Sequence, residues 1–290
     1  MAESLQEQII RMEQLGALQR RFVSDVSHEL RTPLTTIRMA GEVLHASRGD
    51  FEPAIKRSAE LLLMQLDRFE DLLVDLLEIS RFDAGAAVLD AEGRDVRDAV
   101  SAVVEQAVPL AERKGSWLSV ALPEKRCQAD IDPRRVERIL RNLLVNAIEH
   151  AEGTTVEVTL AADAEAVAVT VRDTGVGMTI EESEHVFDRF WRADPARART
   201  TGGSGLGLAI SLEDARLHGG WLEVWSRPAQ GACFRLTLPR RAGIRLTGSP
   251  LPLEPVRPPD IETPVRRTGV DPAALPDLEP DVDLDHQDVR

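Results

Sequence analysis

Apolar residues at Phe22, Val26, Leu30, Ile37, Ala40 and Leu44 recur with a nearly helical period, so residues 4 to 47 read as one long helix with a buried stripe. Pro33 cannot donate a hydrogen bond to the carbonyl of Glu29, which predicts a bend there. The polar run Ser47-Arg48-Gly49-Asp50 interrupts the pattern. Beyond it Ile55, Ala59, Leu62, Leu66, Phe69, Leu73 and Leu76 alternate steps of four and three, a second helix folded back on the first. Leu63, Leu72, Leu77 and Ile79 widen its apolar face beyond a two-stranded seam, and one hairpin has no second layer to cover it. The pattern therefore predicts a four-helix bundle formed by two copies of the chain.

From about Asp95 to Pro239 the pattern is mixed. Helices are expected near 98–113, 133–151, 181–190 and 205–218, and strands near 117–121, 155–161, 166–172, 221–226 and 232–238. Asp132-Pro133 is a cap followed by a first-turn proline. Collected helices with mostly adjacent strands predict an α/β sandwich whose single sheet is covered on one face, and the whole is an α+β multidomain chain. After Arg241 nine of the 17 prolines fall between Pro250 and Pro280, and ten acidic residues outnumber five arginines. Residues 242–290 are thus expected to be a disordered, proline-rich acidic tail.

The formal charge of −14 and the scarcity of basic clusters argue against a nucleic-acid partner. No run of 18 apolar residues and no signal peptide occurs, so the chain as given is expected to be soluble and cytoplasmic. Cys127 and Cys233 lack a paired spacing, and Thr32 stands where a zinc motif beginning at His28-Glu29 would need its second ligand.

His28 is off the apolar stripe. Two residues from both Val26 and Leu30, it points about 160° from each, on the face shared with Thr32, Thr35 and Met39. No Walker A sequence is present, but three other segments suit a nucleotide. Asn142, Asn146 and His150 follow at four-residue steps beside the buried stripe Val136, Leu140, Leu143 and Ala147, and asparagine oxygens suit Mg²⁺ held mainly by phosphates. Asp173-Thr174-Gly175-Val176-Gly177 follows the alternating strand Val167, Val169, Val171, and a carboxylate there can accept from an adenine amino group. Gly202-Gly203-Ser204-Gly205-Leu206-Gly207-Leu208-Ala209-Ile210 runs glycines into an apolar helix whose first N–H groups can bind phosphate. Between the last two lies Phe187-Asp188-Arg189-Phe190-Trp191-Arg192, whose arginines could clamp a terminal phosphate beside the polar loop 193–201.

In this order the segments resemble the catalytic core of bacterial sensor histidine kinases over residues 1 to 240. The H box is at 24–34, the N box at 142–150, the first glycine box at 173–177, the F box at 187–192 and the second glycine box at 203–208. Phe22-Val23-Ser24-Asp25-Val26-Ser27-His28, Arg189-Phe190-Trp191-Arg192-Ala193-Asp194-Pro195 and Glu213-Asp214-Ala215-Arg216-Leu217-His218 resemble an actinobacterial branch of that family.

The resemblance implies a HAMP-like helix end at 1–20, a dimerisation and phosphotransfer domain at 21–84, and an ATP-binding domain of the histidine kinase, gyrase and chaperone type at 95–240. It implies that His28 attacks the γ-phosphate of ATP, that Glu29 orients the ring and accepts its proton, and that a response-regulator receiver aspartate takes the phosphoryl group. Thr32 in the His-Glu-x-x-Thr pattern implies a regulator phosphatase as well. Nucleotide contacts would come from Asn142, Asn146, His150, Asp173, Gly175, Gly177, Arg189, Arg192, Gly203, Gly205, Leu206, Gly207 and Leu208, with Asn146 on Mg²⁺. Glu149 stands where the family often has lysine, which makes His150 the better phosphate contact. Membrane attachment of the parent protein would lie in segments preceding this chain. A gyrase-type ATPase or a non-catalytic scaffold are the competing readings; the H box and hairpin oppose the first, and His28, Asn146 and Asp173 the second.

Overall fold

The computed structural model describes residues 30, 33–47, 51–193 and 204–254, together with the backbone of 266–268. His28, Glu29, Thr32 and Gly203 lie outside the described residues, as does the expected helix end at 1–20.

Helix α1 (33–46) and helix α2 (Pro53–Asp83) are the expected hairpin, with Pro53 in the first turn of α2 where its missing N–H costs nothing. Leu34, Ala59, Leu66 and Ile79 are buried, while Arg38 bonds Glu42 on its own helix and Glu70 across the pair. Ile55, Leu62, Phe69 and Leu76, spaced by seven, remain exposed in the single chain. That spacing keeps them on one side of α2 as a continuous exposed apolar row.

Nucleotide-domain elements run in the order β1 (Glu92–Asp95), α3 (Val96–Lys114), β2 (Trp117–Ala121), β3 (Gln128–Ile131), α4 (Pro133–His150), β4 (Thr155–Ala162), β5 (Ala166–Arg172), α5 (Ile180–His185), α6 (Gly207–Leu217), β6 (Trp221–Arg227), β7 (Gly231–Pro239) and β8 (Arg266–Thr268). The main sheet has the order β6-β7-β5-β4-β2-β8; only β2 and β4 are parallel. Alternation sends Val156, Val158 and Leu160 of β4, Val167, Val169 and Val171 of β5, and Phe234, Leu236 and Leu238 of β7 into one core. They meet the Val136, Leu140, Leu143 and Ala147 stripe of α4. Asp132 caps α4, accepting from the N–H groups of Arg134 and Arg135, so the start of this helix is set as its sequence predicted.

Three features depart from expectation. Strands β1 and β3 form a small antiparallel sheet that four-residue segments without apolar alternation did not announce. Asp95 ties it down, capping α3 through Arg97 N and accepting from Cys127 N at 3.1 Å. Helix α5 stops at His185 rather than near 190, because Phe190 turns into the left-handed region (φ 62°) and donates its N–H to Gly205 O at 2.9 Å.

The third departure corrects the reading of 242–290 as disordered from its start, because residues 242–254 lie against the face of the sheet opposite the helices. Leu246 is buried, Thr237 Oγ1 bonds Ser249 Oγ at 2.9 Å, Arg235 donates to Leu251 O at 2.6 Å, and Arg227 pairs with Glu254 at 3.2 Å. Ala166, Ala168, Cys233 and Thr237, which point away from the helix-side core, are thereby buried on a face that would otherwise meet water. Composition averaged over the tail concealed one short apolar stretch, Ile244 to Leu253, that has a place to pack. The rest of the tail, apart from the backbone of β8, lies outside the described residues.

Candidate nucleotide site

Asp173 leaves the end of β5 as a buried carboxylate. Its Oδ1 accepts from Gly175 N at 3.0 Å and Ala232 N at 3.4 Å, and Oδ2 makes no hydrogen bond among the described residues. Burial pushes its pKa up, opposed by those two backbone donors and the nearby His150. An acceptor oxygen held in place by bonds to its twin is suited to a single amino group.

The glycines of the first box shape this corner rather than merely freeing the chain. A Cβ at Gly175 would stand 1.7 Å from His150 O, and one at Gly177 (φ 64°) would stand 1.9 Å from Arg227 O. Any side chain would therefore push the end of α4 or the β6–β7 turn away from Asp173.

On α4, Asn146 is half-buried and makes no hydrogen bond among the described residues, whereas His150 is exposed beside Asp173. Asn142 is engaged differently from the ligand role expected of it. Its amide donates to Gly207 O at 2.9 Å and Ser211 Oγ at 3.0 Å, joining the N box to the second glycine box. Glu149 is pushed up by burial, an effect reduced by His150, Lys114 and Arg192. Arg192 thus lies electrostatically close to the end of the asparagine helix.

The second glycine box opens α6. Gly205 (φ 72°) lies against Phe190, Leu206 is fully buried, and Gly207 and Leu208 begin the helix. Arg189 is turned elsewhere: it makes a two-pronged ion pair with Asp83 at the end of α2, at 2.6 and 2.8 Å. The structure thus gathers Asn146, His150, Asp173, Gly175, Gly177, Gly205, Leu206, Gly207, Leu208 and Arg192 around one corner of the domain, and keeps Arg189 on the hairpin.

Residues that escaped sequence reasoning lie between the domains. Glu78 of α2 bonds Arg135 and Arg138 of α4, and both arginines also hold Asp214, whose side chain is wholly buried in α6. The one available signal was Asp214 in the second half of α6, an acid next to the buried Ala215.

Comparison with known proteins agrees with this arrangement. The model of the family described as histidine kinase-, DNA gyrase B- and HSP90-like ATPase matches residues 131–242, and that of the His Kinase A (phospho-acceptor) domain matches residues 18–85. Over 256 residues the chain is 57% identical to the sensor histidine kinase MtrB of Mycobacterium tuberculosis, covering 88% of this chain and 45% of that protein. It is 38% identical over 251 residues to the signal transduction histidine-protein kinase AfsQ2 of Streptomyces coelicolor, covering 82% and 45%. Full-length ShkA, crystallised in complex with AMPPNP, superposes with a TM-score of 0.64 at 27% identity over 75% of this chain and 45% of that one. The chain spans about half the length of the curated relatives it matches. With a phospho-acceptor helical hairpin followed by an ATPase-type sandwich, in the order and with the boxes its sequence carries, the chain belongs to the sensor histidine kinases.

Proposed function

We propose that this chain is the ATP-dependent autokinase core of a sensor kinase, with its nucleotide at the corner built by α4, the end of β5 and the start of α6. The observation that carries the proposal is Asp173, a buried carboxylate with one oxygen fixed by backbone donors and the other uncommitted. Adenine's amino group donates to Oδ2, the phosphates lie toward the first N–H groups of α6 at Leu206, Gly207 and Leu208, and His150 and Arg192 border them. Asn142 braces α4 against α6, and Gly175, Gly177 and Gly205 keep the walls close.

Mg²⁺ fits this donor set in one respect. Among the described residues no cluster of three His, Cys, Asp or Glu side chains exists that could hold a metal by itself, so an ion would take most ligands from phosphate and water, with Asn146 as the protein's oxygen donor. Bound there, it neutralises phosphate charge.

In the proposed reaction a neutral ring nitrogen of His28 attacks the γ-phosphorus, the bond to the bridging β,γ-oxygen breaks, and ADP leaves as the N–P bond forms. An imidazole with an ordinary pKa of about 6.5 is largely neutral at pH 7 and so nucleophilic. Glu29 takes the proton from the other ring nitrogen and orients the ring. The phosphoryl group then passes to a receiver aspartate, and Thr32 places the water that later removes it. The unit works as a homodimer through residues 21–84, with the nucleotide domain at 95–240. No helix among the described residues is long and apolar enough to cross a membrane, and we assign this portion to the cytoplasmic side of a membrane-anchored parent.

Incubation with γ-labelled ATP tests the proposal. The expected result is protein-bound label that is acid-labile, alkali-stable and absent from His28→Gln. Acid-stable label, or label persisting in His28→Gln, would overturn it.

A further inference from the structure

The outer face of the main sheet carries charge beside the strap. Alternation that sends Val158, Val171, Phe234 and Leu222 into the helix-side core turns Glu157, Arg172, Cys233 and Trp225 outward. Those four face one another in register across β4, β5, β7 and β6, and Ser119 of β2 and Arg267 of β8 continue the row to the far edge.

At the β6 end of this row lies a cleft of about 660 Å³, lined chiefly by Arg172, Thr174, Trp225, Arg227, Gln230 and Glu254. Arg227 sits over the Trp225 ring, 5.6 Å from its centroid, and donates to the Glu254 carboxylate at 3.2 Å. Arg172 reaches Glu157 with one terminal nitrogen at 3.5 Å, while its Nε is buried and makes no hydrogen bond among the described residues. A buried guanidinium N–H without an acceptor costs free energy, and a carboxylate is the acceptor that suits it best. One carboxylate, that of Glu254, already occupies the cleft from the end of the strap.

The chain beyond Glu254 is placed to supply another. It is described again at Arg266, where β8 pairs with β2 at the opposite edge of the sheet from β6. Residues 255–265 therefore join the two ends of one row. Five strand spacings of about 4.8 Å separate those ends, roughly 24 Å, and eleven residues at the extended spacing of proline-rich chain span about 34 Å. Helices cover the inner face, so the direct route runs over the outer face and across Arg172. Asp260 falls near the point where this route passes β5, with Glu262 close behind, and Arg257 is the only base in the stretch. Pro255, Pro258, Pro259 and Pro264 restrict the segment to extended forms, which lowers the entropy lost on holding it.

We propose that this cleft is a carboxylate-binding site for the chain's own tail, which crosses the outer face of the sheet between Glu254 and Arg266 and sets Asp260 against Arg172 beside the Glu254–Arg227 pair. The site is independent of the nucleotide reading. Ion pairs in a half-open cleft add little stability, so the position of the tail reports the docking better than melting does.

A nitroxide on the tail of the full chain tests it. The label is attached at Ile261→Cys in a Cys127→Ala, Cys233→Ala background, and amide signals are followed by NMR. The expected result is broadening of the Thr174, Ala229 and Gln230 signals, and no broadening from a label at Val289→Cys. Arg172→Gln with Arg227→Gln should abolish the effect, as should 1 M salt, which screens charge beyond about 3 Å. Asp260→Asn with Glu262→Gln should do the same from the tail side, where no folded core is disturbed.

Absence of broadening with the label at position 261 would overturn the proposal, and so would broadening that survives both charge-removing pairs. Spin-labelled chain mixed with isotope-labelled chain separates the remaining occupant. Broadening of the isotope-labelled chain as strong as that within one chain would assign the cleft to the tail of a second copy and overturn the assignment made here.

Discussion

Asp173 combines a cost in stability with a gain in binding. Burial raises its pKa in the folded chain above the unfolded value of about 3.9, so folding favours the protonated form. Below the unfolded value both states hold the proton and nothing is lost. As pH rises toward the folded value, the unfolded chain releases its proton first and stability falls; above the folded value the loss is constant. Asp173→Asn removes this titration while leaving an oxygen for the N–H groups of Gly175 and Ala232. Without nucleotide the variant should therefore melt higher than the parent at pH 7, with the difference shrinking toward pH 4. A carboxylate hydrogen bond is worth about 1.5–3 kcal/mol, so ATP binding should weaken by about tenfold or more. Calorimetry and a melting series against pH check both signs. A variant melting lower at every pH would show that the carboxylate is held for structure instead of for ligand.

At the scale of elements, the segment 242–254 is a strap on the outer face of the sheet. Its removal exposes Ala168, Thr237 and Cys233 and deprives Arg235 of Leu251 O and Thr237 of Ser249. A chain ending at residue 254 should melt close to the full chain, whereas one ending at residue 241 should melt several degrees lower. Leu246→Ala, which deletes the strap's buried side chain, should cost about 2–3 kcal/mol. Cys233 reports on the same event. Its thiol is buried and its pKa is pushed up to about 11, so it should react slowly with maleimide in the full chain and about tenfold faster without the strap. Equal labelling rates in the two chains would mean that the strap leaves this face open.

For the whole molecule, the exposed row Ile55, Leu62, Phe69 and Leu76 sets the expected assembly. Leaving four large apolar side chains at seven-residue spacing in water is unfavourable, and a second hairpin would cover them with the geometry that the spacing demands. The double variant Leu62→Glu with Phe69→Glu should run as a monomer in light scattering at micromolar concentration and still bind ATP, since neither residue touches the nucleotide corner. A dimer that persists would place the interface elsewhere. Met39 and Val43 of α1 are exposed as well, and with Thr35 and Thr36 they form an exposed face of α1 on which we expect a receiver to dock. Exchanging those four for their counterparts in another kinase should redirect phosphotransfer without altering autophosphorylation.

Local chemistry by itself determined much of this protein. The stripe on α4, the cap at Asp132, the alternation of β5 and the spacing of α2 each follow from residues close together in the chain, which is why helices and strands fall where periodicity puts them. Asp173 and Asn146 stand out as candidates because each breaks a local rule, a carboxylate at the end of an apolar strand and an amide inside a helix. Only the tertiary structure decided what distant segments do to one another. Arg189 and Arg192 sit in the same box, yet the fold sends one to Asp83 and the other toward Glu149. Asn142 and Asn146 share a helix face, but α6 crosses close enough to engage the first and not the second. The strap has the composition of a disordered tail and is held because a sheet face happens to need covering. Asp75 reads as one more solvated acid on an amphipathic helix until the start of α6 is laid beside it. Periodicity describes how a segment divides between inside and outside. The partner that meets each face is chosen by contacts between residues far apart in the chain, and those no local pattern encodes.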